Sequence, residues 1–154
     1  MMMMNPKSFM PISIDVSGKR ILLIGGGKVA LHKIESLLKY TNNIFVLARK
    51  VHPNIKENEI QFVEKEYESV DIIGSLLVYA CTNDRDLNRK IREDCQKSGI
   101  LVNVVDKPAD CDFVSPAIHK DNNMSIAVSS NGQDVFKSIR IRNKIKELFI
   151  EGID

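Results

Sequence analysis

The sequence predicts an α/β chain: a parallel sheet with helices on both faces, followed by a short strand pair and one long helix. Three observations carry this. Apolar runs of five or six residues alternate with helix-patterned stretches as far as residue 105, as in a parallel sheet with helical crossovers. The first strong run ends in three consecutive glycines, Gly25-Gly26-Gly27, which open a helix. After Asp106 the alternation gives way to two strand-like runs and a final helix.

Taken in order, residues 11–16 alternate as a short strand, and Ser17-Gly18 supplies a turn. Residues 19–24 form a buried strand. Residues 28–40 are helix-patterned, with Val29, Ala30, Ile34, Leu37 and Leu38 on one face. A second buried strand at 44–48 completes a segment the size of a βαβ unit. Residues 60–64 read as a strand, 68–73 as a helical turn and 76–80 as another buried strand. A helix spans 84–97, with Leu87, Ile91 and Cys95 four apart, and Gly99 stops it. Residues 100–105 are a further strand. Beyond them, 112–118 and 124–130 read as strands joined by a polar turn from His119 to Asn123, and a helix covers 134–151.

The chain thus divides into a first domain over 1–111 and a second region over 112–154. A lone hairpin is marginal in water. The second region must therefore bury its apolar side on the first domain or on another copy of the chain. A second copy is favoured, which makes this a dimerisation region.

Composition narrows the setting. The 154 residues are 44% hydrophobic, and no apolar run approaches the roughly 20 residues that span a bilayer. A membrane is not expected as a partner. The Met-rich start is broken by Asn5, Pro6 and Lys7 and lacks the pattern of a signal peptide; it reads as a frayed terminus. Cys81, Cys95 and Cys111 form no C-x-x-C pair, which suits a reducing cytoplasm better than a disulfide framework. A net charge of +2 does not point to nucleic acid. His32, His52 and His119 share no metal-ligand spacing with each other or with the cysteines, so no metal site is expected.

Residues 25–30 (Gly-Gly-Gly-Lys-Val-Ala) fit G-x-G-x-x-A. Gly25 makes the tight turn, Gly27 admits a pyrophosphate to the backbone, and Ala30 lets helix and sheet pack closely. The helix N-terminus presents free N–H groups and its positive dipole end to the anion. Placed after a strand and before a helix, the motif predicts a Rossmann-like dinucleotide site contacting Gly25, Gly26, Gly27, Lys28, Val29 and Ala30. The acid expected about 20 residues on is missing: Arg49-Lys50 stand there. Arg49 suits a 2′-phosphate or is a solvated loop residue, so NAD and NADP both stay open on the residues alone.

A wider set of residues resembles the precorrin-2 dehydrogenase/sirohydrochlorin ferrochelatase family, also the N-terminal part of siroheme synthases. The matching features are Pro11, Asp15 to Gly18, the glycine turn with Val29-Ala30 and Lys33, and Ala80-Cys81-Thr82 with Asp84 and Asn88. They continue with Asn103-Val104-Val105-Asp106, Pro108, Phe113, Pro116-Ala117, Ser129 to Gly132, and Ile139 to Arg142. The resemblance implies a homodimer that uses NAD to oxidise precorrin-2 to sirohydrochlorin in siroheme biosynthesis. Fe2+ chelation is the family's second activity. Asp106 matches the residue tied to chemistry, and Ser130 a serine that carries phosphate in some relatives. The sequence departs from the family pattern where Gln133-Asp134-Val135 replaces Ser-Pro after the glycine turn. Many relatives continue into a further helical domain beyond the point where this sequence stops.

Asp106 follows the C-terminal end of a strand, where open α/β sheets bind ligands. It is the candidate general base, against the alternative that it caps a turn. Thr82, Asn83, Asn88 and Asn103 lie near other strand ends as candidate cofactor contacts. Thr82 and Asn88 equally suit capping of the helix at Asp84, and Asn103 equally suits holding the Asp106 turn. For a polycarboxylate substrate the candidates are Ser130, Lys120, His119, Lys137, Arg140 and Arg142, since Arg pairs bidentately with carboxylates; a solvated helix face is the alternative. The competing function is a non-catalytic NAD-binding regulatory module. The Tyr-x-x-x-Lys pair of short-chain dehydrogenases is absent, because Ile44, Asp71 and Asn83 follow Tyr40, Tyr67 and Tyr79.

Overall fold

The structure, a computed structural model, describes residues 6–152. The beginning of the Met-rich start, residues 1–5, lies outside the described residues. Residues Ser13–Phe113 form one compact unit, and the described residues before Ser13 form another with those from Val114 onward.

The larger unit holds a five-stranded sheet in the order β3-β2-β1-β4-β5. Its strands are β1 (Arg20–Ile24), β2 (Ile44–Ala48), β3 (Gln61–Glu64), β4 (Ser75–Ala80) and β5 (Leu101–Val104), all parallel. Helix α1 (Lys28–Leu37) connects β1 to β2, α2 (Pro53–Glu57) connects β2 to β3, and α3 (Arg85–Ser98) connects β4 to β5. Central strands of a parallel sheet are buried on both faces, and Ile21 to Ile24 are all buried. Ile21 and Leu23 join Ala30 and Ile34 of α1 in one core, with Val46, Leu77 and Tyr79. Helix α3 packs on β4 and β5 and turns Ile91 and Cys95 inward. Asp84 caps it by accepting from the N–H groups of Asp86 and Leu87, and Gly99 ends it in the left-handed region at φ 68°.

Several sequence expectations shift. Residues 11–16 form no strand; neither sheet edge pairs with them, and of their apolar residues only Val16 reaches the core. Helix α1 stops at Leu37, because Tyr40 and Thr41 both donate to the Leu37 carbonyl in a closing turn. Its buried stripe is narrower than expected, with Val29 and Leu38 exposed. Helix α2 escaped the apolar pattern because it buries a single side chain, Ile55. Its signal is local: Pro53 at the first helical position, and the His52 ring accepting from the Asn54 N–H.

In the smaller unit, β6 (Ala117–Asp121) and β7 (Met124–Val128) form an antiparallel pair, and α4 (Val135–Glu151) packs on both. The expected turn from His119 to Asn123 shrinks to Asn122-Asn123, with Asn122 at φ 52°. Asparagine tolerates that backbone, so a two-residue turn suffices. His119 and Lys120 therefore belong to β6. Helix α4 exposes Val135, Phe136, Ile141, Leu148 and Ile150. No helix among the described residues is long and apolar enough to cross a membrane.

The end of the sheet where the strands begin is locked by one side chain. Arg20 donates to the carbonyls of Asp71 and Ile73 at 2.8 Å each, and to the hydroxyl of buried Ser75. These bonds fasten the segment leading into β4 to the start of β1. Charge-assisted bonds of this kind contribute about 1.5–3 kcal/mol. Arg20→Ala is expected to lower Tm by roughly 5–10 °C in thermal unfolding for a chain of this size, with no change in dinucleotide affinity.

Candidate functional site

The site grows from the exit of β1. Gly25 donates its N–H to the Leu47 carbonyl at 2.8 Å, and Cys81 donates to the Ile24 carbonyl at 2.9 Å. Gly25 has φ 119°, and a Cβ there would lie 2.4 Å from the Cys81 carbonyl oxygen. A Cβ on Gly26 would meet the Lys50 carbonyl at 2.8 Å and the Cα of Val51 at 3.0 Å. Both glycines are thus required by the protein's own packing. Gly27 is different. Its φ of −94° suits any residue, and a Cβ would meet nothing within 4 Å. Neither backbone strain nor protein packing demands glycine at 27, and the missing side chain leaves the backbone there open to close approach by a ligand.

Gly27 is the N-cap of α1 and supplies no side-chain cap, and the first turn carries no acid. The first N–H groups of this ten-residue helix are therefore open to an anion. The turn lies at the C-terminal end of β1, where the strand order reverses between β1 and β4. Open α/β sheets take their ligands at that crevice. These features fit a pyrophosphate. Lys28 and Val29 are exposed beside Gly27, and Ala30 is buried under the turn. At the end of β2, Arg49 pairs with Glu66 at 3.3 Å, so the carboxylate missing after β2 has a counterpart in the segment after β3.

The other strand ends bring further candidates to the same edge. After β4, Thr82 and Asn88 bond to each other: the Thr82 Oγ1 donates to Asn88 Oδ1 at 2.6 Å, and Asn88 Nδ2 donates to the Thr82 carbonyl at 3.1 Å. They close the loop into α3, while Asp84 does the capping. Asn83 is exposed in that loop. On β5, Asn103 lies opposite Tyr79 and is 5% exposed. Its Nδ2 donates to the Phe113 carbonyl at 2.9 Å, which leaves Oδ1 buried with no partner. A buried, unsatisfied carbonyl costs about 1–3 kcal/mol and suits a donor brought by a ligand.

Asp106 stands two residues past β5. It is exposed, and its backbone is left-handed at φ 62°. Its carboxylate has neither hydrogen bond nor ion pair among the described residues. The turn is closed by backbone bonds instead, with Lys107 donating to the Val104 carbonyl at 3.1 Å. Asp106 therefore does not cap the turn. Left-handed backbone costs an aspartate about 1 kcal/mol, and no local bond offsets it.

Lys33 is a further residue at this edge, outside the candidates that the sequence offers. It lies on α1 one turn after Ala30 and one turn before Leu37, at the edge of the buried stripe. Its Nζ sits 5.8 Å from the centroid of the Tyr79 ring. Burial pushes its ammonium below the usual lysine range; Cys81, Cys111 and Asp106 act in the other direction. A lysine flanking an apolar stripe was the available signal.

The remaining candidates belong to the smaller unit. Arg142 donates from Nη1 to the Ile118 carbonyl at 3.2 Å and from Nε to Asn143. The His119 ring packs edge-on against Phe149 at 5.2 Å, and its Nε2 is buried without a partner. Lys120 bonds the Asn122 carbonyl, and the Ser130 hydroxyl accepts from the Asp134 N–H at 2.9 Å. Lys137 and Arg140 are exposed on α4. Among the described residues, no three His, Cys, Asp or Glu side chains come together as a metal site.

A glycine turn at the switch point of a 3-2-1-4-5 sheet, backed by an uncapped helix, defines a dinucleotide-binding α/β protein. The comparisons agree. A family model described as "Putative NAD(P)-binding" matches residues 12–117, and the chain belongs to that family. It is 32% identical over 145 residues to the siroheme synthase of Actinobacillus pleuropneumoniae serotype 3 (strain JL03), covering 92% of this chain and 30% of that one. It is 38% identical over 150 residues to the siroheme synthase of Gluconobacter oxydans (strain 621H), covering 92% and 32%. The chain therefore spans about a third of the length of these relatives. Its fold is similar to that of a solved structure named "SirC, precorrin-2 dehydrogenase", with a TM-score of 0.78, 24% identity, and coverage of 90% of this chain and 70% of that one.

The glycines separate folding from binding. Gly27→Ala is expected to leave stability within about 0.5 kcal/mol and to weaken dinucleotide binding at least tenfold in a fluorescence titration. Gly25→Ala is expected to cost about 3 kcal/mol or more, seen as a lowered denaturant midpoint.

Proposed function

We propose that this chain oxidises precorrin-2 to sirohydrochlorin with NAD, a step of siroheme biosynthesis, and does so as a cytoplasmic homodimer. The observation that carries the reading is the Asp106 carboxylate, exposed and unpartnered in left-handed backbone, at the sheet edge that also carries the pyrophosphate turn. The names of the relatives supply the substrate class.

In this reading the backbone from Gly25 to Ala30 holds the pyrophosphate, and a bound nicotinamide supplies the hydride acceptor. Asp106 accepts the proton that leaves the reduced macrocycle. Asn103 Oδ1 would accept a hydrogen bond from a donor of the bound cofactor, which would satisfy the buried carbonyl. Thr82, Asn83 and Asn88 shape the loop that flanks the cofactor. Glu66 beside Arg49 disfavours a 2′-phosphate, hence NAD over NADP. The acetate and propionate groups of the substrate call for cations. Lys137 and Arg140 are the freest to provide them, with Ser130, Lys120, His119 and Arg142 engaged in holding the smaller unit. The exposed apolar side chains of α4 are the surface for a second copy.

The test is turnover of freshly made precorrin-2 with NAD or NADP under anaerobic conditions, followed by NADH and sirohydrochlorin absorbance. Stoichiometric products with NAD are expected, and Asp106→Asn should lower kcat about 100-fold or more with NAD affinity changed less than twofold. A folded, NAD-binding protein without turnover would instead be a regulatory module. Siroheme absorbance after addition of Fe2+ reads out chelation in the same cuvette. Light scattering should give a dimer that Phe136→Glu or Ile150→Glu converts to monomer; an unchanged mass would sink the α4 surface as the interface.

A further inference from the structure

Lys33 poses a problem of charge. It is half-buried, yet it has no ion pair and no hydrogen bond among the described residues. A desolvated ammonium is unfavourable unless an anion answers it. The Tyr79 ring beneath it, 5.8 Å away, contributes only about 0.5–2 kcal/mol. The groups facing Lys33 from neighbouring elements are few. Tyr79 and Cys81 come from β4 and its end, Cys111 from the segment after the turn at 108–110, and Asp106 from the end of β5. On α1 itself, His32 and Glu35 pair with each other at 3.6 Å on exposed positions.

The two thiols do not supply the anion. Burial pushes the Cys81 thiol up to about 12, so it is neutral at pH 7. Its Sγ lies 3.3 Å from the Ile24 carbonyl, as a donor does. Cys111 is buried and its Sγ is taken up within its own turn, 3.1 Å from the Val104 carbonyl, 3.3 Å from that of Lys107 and 3.2 Å from the Val104 N–H. That leaves Asp106, the one carboxylate acting on Lys33. The backbone brings the two together. Tyr79, under the ammonium, pairs with Asn103; Val105 donates to the Ala80 carbonyl at 3.1 Å; Asp106 follows directly.

We infer that Lys33 is the positioning residue for Asp106: its ammonium is the counter-charge that orients the otherwise unheld Asp106 carboxylate at the mouth of the cleft. The role rests on the reading of Asp106 as the proton acceptor. It also gives a carboxylate without a hydrogen bond, on an exposed turn, a charge to orient toward: a flexible four-carbon stem carries the ammonium from the helix that also carries the phosphate turn.

Two readouts keep the inference and the dehydrogenase reading apart. The first needs no substrate. The Lys33 ε-methylene is followed by NMR through a pH titration in the wild-type chain and in Asp106→Asn. Removing the carboxylate removes an influence that favours the ammonium, so the Lys33 midpoint should fall by at least 0.3 pH unit. Coincident curves would overturn the pairing. The second is kinetic. Lys33→Met should lower kcat about tenfold with NAD affinity changed less than twofold, and Lys33→Arg should restore at least half of the loss. Full kcat in Lys33→Met, or no rescue by arginine, would overturn the positioning role. Circular dichroism and thermal unfolding of each variant verify the fold. If the wild-type chain turns over no precorrin-2 while the NMR midpoint falls, the dehydrogenase reading and the positioning role fail but the charge pairing stands.

Discussion

At the exit of β1 the chain passes between β2 and β4 with no room for a side chain. The Gly25 N–H bonds the end of β2, the Ile24 carbonyl accepts from the start of the next loop, and the Cys81 carbonyl fills the space a Cβ would need. Only glycine can leave the sheet this way. The exit sends α1 back over the strands with its N-terminus at their C-terminal ends. Gly26 then accepts from the His52 N–H at 2.7 Å, and His52 in turn caps α2. The phosphate turn, the strand order and the second crossover are thus consequences of one crowded backbone crossing.

The two ends of the sheet are finished differently. Where the strands begin, Arg20 meets carbonyls and a hydroxyl and leaves little unsatisfied. Nearby, Lys65 bridges Glu68 and Asp71, and Asp94 accepts from Tyr67, Ser69 and Lys90, fastening the crossover into β4 to α3. Where the strands finish, polar groups are left open: the Asn103 carbonyl, the Asp106 carboxylate, the Lys33 ammonium and the first N–H groups of α1. Unsatisfied groups gathered at one edge are a stability deficit with a direction. The well-bonded end bears it, and the open end offers a ligand the bonds it lacks.

Much of this was legible in the residues. Strands β1, β2 and β4 announced themselves as apolar runs, because central parallel strands are buried on both faces and need no alternation, whereas β3 at the sheet edge is mostly exposed and showed only as a short strand-like stretch. The glycine turn was legible because its spacing follows from backbone geometry. Residues 11–16 misled, since alternation reports a possible strand but not a partner to pair with. Helix α2 was hidden because five residues with one buried side chain make no period. Lys33 was hidden for a subtler reason. Its role depends on Tyr79 and Asp106, far away in sequence and adjacent only once β4 and β5 pair. Distinguishing Gly27 from its neighbours also needed coordinates, because only packing shows that 25 and 26 have no room for a Cβ while 27 stands in open space.

The left-handed backbone at Asp106 has an evolutionary side. Asparagine adopts that conformation at least as readily as aspartate, and the side chain makes no bond on which folding depends. A single-base change from Asp to Asn at 106 would therefore cost the fold little beyond the counter-charge it takes from Lys33. On the reading of Asp106 as the proton acceptor, chemistry is what guards the position. Copies freed from that demand would drift to dinucleotide-holding proteins with an intact sheet and phosphate turn. In such a lineage the identity of one residue, rather than any feature of the fold, separates an enzyme from its silent descendant.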